Sequence, residues 1–337
     1  MKILWFKRHV DLSKHGHAST RGMPYALKKF ADVKFYGPGF PGGPSTKSLR
    51  AGAKIDVPKV IKKLYGNDYP DVVIQNLPSF HIWKFWKTYG VGLFPVLKNF
   101  HLAKCLRVMW SGDIWLTVRM PNVVRFLKTR RVDLIIKFVD AYDQLVYSKK
   151  LAGFGIPVEW CPPSIDPHIF YDRKLTKKYD VINIGYKGGI YPLRTRIHQV
   201  LSRQKKIKYF SNPVWRHDYA KVINQSRMFA TGTSKRRCVV NKMFEAMACN
   251  TLLVCNIPRE ATALGLKPHH HFSVIDYKPE RNRKIETKAF MDRINYWLKH
   301  PGEAAKIAKR GHDLVHAKHT HDVRMKDFVK KLSKHLK

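Results

Sequence analysis

Asn241-Lys242-Met243-Phe244-Glu245-Ala246-Met247-Ala248-Cys249-Asn250-Thr251-Leu252-Leu253-Val254 is the stretch on which the fold reading turns. Lys242 and Glu245 lie three residues apart, so a helix sets both on one face. The helix formers stop at Cys249-Asn250 and an apolar run follows at once. This predicts a helix over 242–249 feeding straight into a buried strand over 251–255. A carboxylate near a helix start, beside strand ends, is placed to accept a pair of hydrogen bonds from ribose hydroxyls. Lys242 and the helix's first amides suit a diphosphate. The same residues also fit a glutamate that only caps and a lysine that only faces water, and the pattern alone leaves both open.

Outward from this stretch the rhythm is strand, helix, strand. Toward the N-terminus it predicts strands at 180–184, 207–210 and 228–231, with helices at 193–203 and 219–225. Toward the C-terminus it predicts a strand at 272–276 and amphipathic, Lys-rich helices at 287–299 and 302–335. His269-His270-His271 reads as a loop before that strand, because three adjacent residues of an extended segment point alternately and cannot all face one ion. An earlier series repeats the rhythm, with strands at 2–6, 33–36, 71–75, 106–110, 134–138 and 144–148 and helices near 24–30, 59–65 and 121–131. Short apolar strands alternating with helices predict parallel sheets covered on both faces. Residues 155–175 hold four prolines and no periodicity, which reads as a crossing between domains. Residues 37–43, Gly-Pro-Gly-Phe-Pro-Gly-Gly, form a loop too irregular for either element.

The chain has 337 residues, 64 Lys+Arg against 24 Asp+Glu, and a formal net charge of +40. Its 44% apolar content is that of a chain able to build cores, which argues against disorder. The basic excess is no detachable tail: Lys+Arg against Asp+Glu stands at 27 to 10 over residues 1–165, 26 to 10 over 166–298 and 11 to 4 over 299–337. Such a body attracts polyanions, nucleic acid or an anionic membrane surface above all, although a general adaptation of surface charge would look the same. Five cysteines without a CxxC pair argue against a disulfide framework or a zinc site, and for a reducing, cytoplasmic setting. The apolar run at the start is too short for a signal peptide and ends at Lys7-Arg8. No run of apolar residues is long enough for a transmembrane helix.

The 241–254 stretch resembles the nucleotide-sugar segment of GT-B glycosyltransferases, with their E-A-x-A-x-G/N run, and is similar to the CgeB-like enzymes and the phage DNA β-glucosyltransferases. The resemblance implies an α/β, GT-B fold: two Rossmann-like domains facing each other across a cleft, with the C-terminal helices returning toward the first. It places an acceptor domain at 1–165, a donor domain at 166–310 and a basic helix at 311–337. It implies that Glu245 binds the ribose of a nucleotide sugar, a UDP-sugar by preference, and that Lys242 holds phosphate. It implies no obligatory cofactor and no metal. Many GT-B enzymes carry a second glutamate eight positions before Glu245; this chain has Arg237 there, which we place in the donor-binding set. Ile184-Gly185-Tyr186-Lys187-Gly188-Gly189, followed by Arg194 and Arg196, reads as strand, flexible loop and helix start. Its glycines let backbone approach a diphosphate, with Lys187 and an arginine as clamps.

Transfer to a hydroxyl needs a base near the acceptor. Val108-Met109-Trp110-Ser111-Gly112-Asp113 puts Asp113 at a strand's carboxyl end, and a similarly placed Asp in the phage enzymes carries the base role; an Asp that merely caps the next turn fits as well. For the acceptor, His17, Arg119, Arg125, Lys128, Arg130 and Arg131 are the candidate contacts. Three functions are weighed: transfer to a hydroxymethylated base flipped from phage DNA, transfer to a membrane or envelope glycan, and nucleic-acid binding on a decayed scaffold. The Trp-, Phe- and Lys-rich segment 80–110 fits the second reading as interfacial helices, and equally a core with snorkelling lysines.

Overall fold

The computed structural model describes residues 1–9, 18–50, 53–76, 97–111, 120–137, 153–214, 216–235, 237–277 and 286–336. Two compact units divide the chain. The first holds residues 1–11, 24–162 and 325–337, and the second holds 12–23 and 163–324.

The first unit opens with β1 (Lys2–Phe6). Ile3, Leu4, Trp5 and Phe6 are all fully buried, as a central parallel strand covered on both faces requires. α1 (Ala18–Ala26) carries Pro24 inside it and begins six residues before the expected start, followed by β2 (Asp32–Tyr36) and α2 (Thr46–Arg50). β3 (Ile55–Asp56) leads into α3 (Val57–Tyr65), where Asp56 caps the helix by accepting from the Lys59 N–H. β4 (Val72–Asn76), β5 (Leu97–Lys98), β6 (Leu106–Ser111), α4 (Met120–Thr129), β7 (Leu134–Lys137) and β8 (Val158–Trp160) complete it. The main sheet runs β2-β1-β4-β6-β7-β8, parallel throughout. β8 falls within 155–175, where the prolines give no strand signal, and β3 and β5 are two-residue pieces with no periodicity to read. Over the described part of 80–110, residues 97–110 are two strands joined through a single 3-10 turn (Phe100–Leu102), with Val108 and Met109 fully buried, not an interfacial helix. The strand expected at 144–148 lies outside the described residues.

The second unit contains β9 (Tyr179–Ile182), α5 (Pro192–Leu201), β10 (Tyr209–Phe210), α6 (Arg216–Asn224), β11 (Ser226–Ala230), α7 (Asn241–Ala248), β12 (Leu252–Cys255) and β13 (Ser273–Val274). Its sheet is parallel in the order β10-β9-β11-β12-β13. The order reverses between β9 and β11, and the crevice at such a switch point is where open α/β sheets bind ligands. α8 (Thr287–Lys299), α9 (Pro301–Lys318) and α10 (His321–Ser333) follow. Periodicity reads 302–335 as one helix; it breaks at His319-Thr320, where Thr320 bridges Ile165 in strand fashion.

That break is fixed by two buried neutral imidazoles. His319 Nε2 donates to the Leu264 carbonyl at 3.0 Å while its Nδ1 accepts from Arg324, and the ring stacks on Phe244 with centroids 4.7 Å apart. His321 Nδ1 pairs with Ser164 Oγ at 2.8 Å. Burial lowers the pKa of His319 to about 3, with the Arg324 charge adding to it, and burial lowers that of His321 to about 4. Both folded values lie below the unfolded imidazole, so the stability is complete above the unfolded pKa and is lost as pH falls toward the folded one. Acidification from neutrality to pH about 5 is therefore expected to cost about 2 kcal/mol per histidine. Urea midpoints at the two pH values test this; His321→Gln should reduce the drop, and an undiminished drop would remove His321 from the account.

Candidate functional site at the carboxyl edge of the second sheet

The switch-point crevice of the second unit gathers Gly185, Arg194, Tyr219, Thr231, Lys242 and Glu245. Lys242 and Glu245 share α7, and the others arrive from separate pieces of chain. Gly185 follows β9 at φ +132°, and a Cβ there would lie 2.5 Å from Lys242 Cε and 3.2 Å from Arg194 Nη1. Glycine is required because the backbone passes directly against two cationic side chains. Arg194, on the first turn of α5, is 2% exposed. Its Nε donates to Thr231 Oγ1 at 3.2 Å, its Nη1 to the Tyr186 carbonyl at 3.1 Å and its Nη2 to the Gly232 carbonyl at 3.5 Å. The guanidinium also lies 4.1 Å from the Tyr191 ring centre. The three acceptors are neutral, and among the described residues Glu245 is the carboxylate whose charge acts on Arg194.

α7 supplies the other half. Lys242 and Glu245 come from its first turns, and Glu245 is 5% exposed. Fully buried Tyr219 of α6 donates its hydroxyl to Glu245 Oε2 at 3.0 Å, and Lys242 Nζ stands 4.8 Å from the centre of the same ring. Burial lowers the Lys242 pKa, Glu245 opposes that shift, and Arg194 adds to it. Burial and the Glu245 carboxylate hold the Tyr219 phenol well above its ordinary range, so it stays a donor. Two cations and one carboxylate at a parallel sheet's switch point, beside the start of α7, have the chemistry to take an anion with neighbouring hydroxyls.

The remaining predicted donor residues are spread more widely. Lys187 Nζ donates to the Ser211 carbonyl at 3.2 Å, and burial lowers its pKa. A Cβ on Gly188 would lie 2.6 Å from the Tyr186 ring. Arg196 sits two residues beyond Arg194, about 200° around the helix, and reaches Gln199 Oε1 at 3.3 Å; it does not join the cluster. Arg237 takes a left-handed φ of 61° in the loop after β11 and donates to the Ile257 carbonyl at 3.2 Å. Tyr219 and Thr231 carry no signal in the sequence, being brought to the site only by tertiary packing. Among the acceptor candidates, Arg125, Lys128 and Arg131 are exposed, whereas Arg130 stacks 4.2 Å over Phe126 and donates to the Leu97 carbonyl at 3.4 Å. Asp113, His17 and Arg119 lie outside the described residues.

Residues 189–330, which contain Arg194, Tyr219, Lys242 and Glu245, match the family described as glycosyl transferase-like. Over the whole chain the fold is that of the GT-B glycosyltransferases. HepE of Anabaena, solved with UDP-glucose, superposes with a TM-score of 0.60 at 12% identity, covering 99% of this chain and 100% of its own. Sucrose-phosphate synthase from Thermosynechococcus elongatus gives 0.59 at 13% identity, covering 99% and 98%. A glycosyltransferase from Rickettsia africae gives 0.58 at 12%, covering 100% and 98%. No curated protein sequence matches the chain. The likeness is to the GT-B class at large, without evidence for the CgeB-like or phage DNA β-glucosyltransferase families in particular. Among the described residues no helix is long and apolar enough to cross a membrane.

Proposed function

We propose that the chain is a glycosyltransferase that binds a nucleotide sugar in the second unit's crevice and moves the sugar to a hydroxyl. The observation that carries this is the Arg194–Lys242–Glu245 constellation. Two desolvated cations suit the diphosphate, and they stabilise the charge that builds on it as the glycosidic bond breaks. Glu245, held by Tyr219, suits the ribose hydroxyls. A uridine nucleotide is the reading we favour, in keeping with the UDP-glucose bound to HepE. Asp113 takes the role of base toward the acceptor hydroxyl.

For the acceptor we favour a polyanion, a hydroxymethylated base in duplex DNA. The support is the +40 balance, carried by every part of the chain, with Arg125, Lys128 and Arg131 exposed around α4. Incubation with a panel of radiolabelled UDP-sugars and hydroxymethylated duplex DNA tests the whole reading. Label is expected on the DNA, with binding that falls steeply as salt rises. Transfer to glycan-bearing anionic vesicles but not to DNA would replace the acceptor and keep the enzyme. Failure to bind any UDP-sugar would remove the enzyme reading itself.

A further inference from the structure

Among the described residues of the first unit, the buried polar side chains are Lys7, Gln75, Ser111 and Lys137. They mark the carboxyl ends of β1, β4, β6 and β7: Lys7 follows Phe6, Gln75 is next to last in β4, and Ser111 and Lys137 close their strands. These four side chains therefore stand along one edge of the sheet, the edge at which α/β sheets bind ligands. The order β2-β1-β4 also puts this sheet's switch point beside Lys7 and Gln75.

Lys7 is the member whose surroundings call for a partner. It is 7% exposed, and its Nζ stands 3.9 Å from the ring centre of Tyr25 and 5.2 Å from that of Phe35. Phe40 stacks on Phe35 at 5.6 Å, and His9 meets Phe40 edge-on at 5.1 Å. The glycine-rich loop builds this cage. Gly37 passes so close to β1 that a Cβ would lie 2.2 Å from the Lys7 carbonyl oxygen, and its φ of +146° belongs to glycine. That close approach swings Phe40 onto Phe35. Rings hold a cation by their π faces, but among the described residues no carboxylate or hydrogen-bond acceptor meets the ammonium. Burial wins, and the Lys7 pKa falls to about 7.

We propose that Lys7, in its aromatic cage at the carboxyl end of β1, binds a phosphate group of the acceptor. The proposal rests on the polyanionic acceptor put forward above. A phosphate supplies the opposite charge that the cage lacks, and it favours the protonated amine. Near neutral pH its binding is then accompanied by uptake of a proton from solution onto Nζ.

Competitive acetylation of the full chain with acetic anhydride, read by peptide mass spectrometry, tests this with inorganic phosphate as the probe. Exposed Lys54 and Lys62 serve as references within each digest. Without phosphate the Lys7 rate should rise through neutral pH. Millimolar phosphate should slow Lys7 about tenfold relative to the references, by raising its pKa about one unit. Equal slowing of all three lysines, or none at Lys7, overturns the proposal. A second arm with short duplex DNA asks whose phosphate it is: protection by phosphate but not by DNA keeps the site and removes DNA as acceptor. UDP binding on the same samples reports on Glu245 separately. Its loss with Lys7 protection intact counts against the donor reading and leaves the Lys7 site standing.

Discussion

Glu245→Ala is expected to weaken UDP binding about a hundredfold, about 2.7 kcal/mol. Hydrogen bonds to a charged acceptor contribute about 1.5–3 kcal/mol each, and the ribose offers two hydroxyls. The larger consequence falls on Lys242. Its ammonium is desolvated beside Arg194, and Glu245 is what opposes the loss of its proton. Without the carboxylate the Lys242 pKa drops further. The cation is present only below its pKa, so UDP affinity of the variant should start to decline at a lower pH than that of the parent. Tyr219→Phe separates position from charge: it removes the 3.0 Å bond that orients Glu245 but leaves the carboxylate in place, and a several-fold loss without the new pH dependence is expected. Calorimetric titration with UDP across neutral pH reads all three proteins. A Glu245→Ala dissociation constant within about twofold of the parent would take Glu245 out of the donor site.

Much of this site is readable before folding because it is local. Lys242 and Glu245 are three residues apart on one helix, and the apolar run after Asn250 can only be a buried strand. Fully buried parallel strands such as Ile3–Phe6 announce themselves as continuous apolar runs. What escapes is whatever tertiary contact decides. Tyr219 looks like any helix tyrosine until packing of α6 beside α7 turns its hydroxyl onto Glu245. Lys7 reads as the charge that ends an apolar run, and only the approach of Gly37 and the rings behind it shows that water is excluded there. Arg194 and Arg196 look equivalent in a list of cations, yet 3.6 residues per turn sends them to different sides of α5. The β8 strand hides among prolines because its support is the pairing with β7, not its own composition.

Asp113→Asn is expected to lower turnover about a thousandfold, within the range that general-base catalysis supplies, with UDP affinity unchanged. On the proposed assignment the second unit holds the cations that stabilise the leaving diphosphate, so loss of a base on the first should spare donor binding and act on the chemical step alone. Asp113 comes two residues after the end of β6 in the chain. A carboxyl group of ordinary pKa is ionised at neutral pH and so able to accept a proton. In the parent, turnover should fall as acid protonates that carboxylate. In Asp113→Asn the residual rate should lose this limb, because the amide has nothing to titrate there. Single-turnover transfer from a UDP-sugar, measured with saturating donor over a pH series, reads both effects. A variant that keeps a tenth or more of the parent rate would deny Asp113 the base role. A matching rise in the UDP dissociation constant would move it to the donor site instead. A thousandfold loss at constant donor affinity leaves one role open to it, taking the proton from the acceptor hydroxyl as the sugar is transferred.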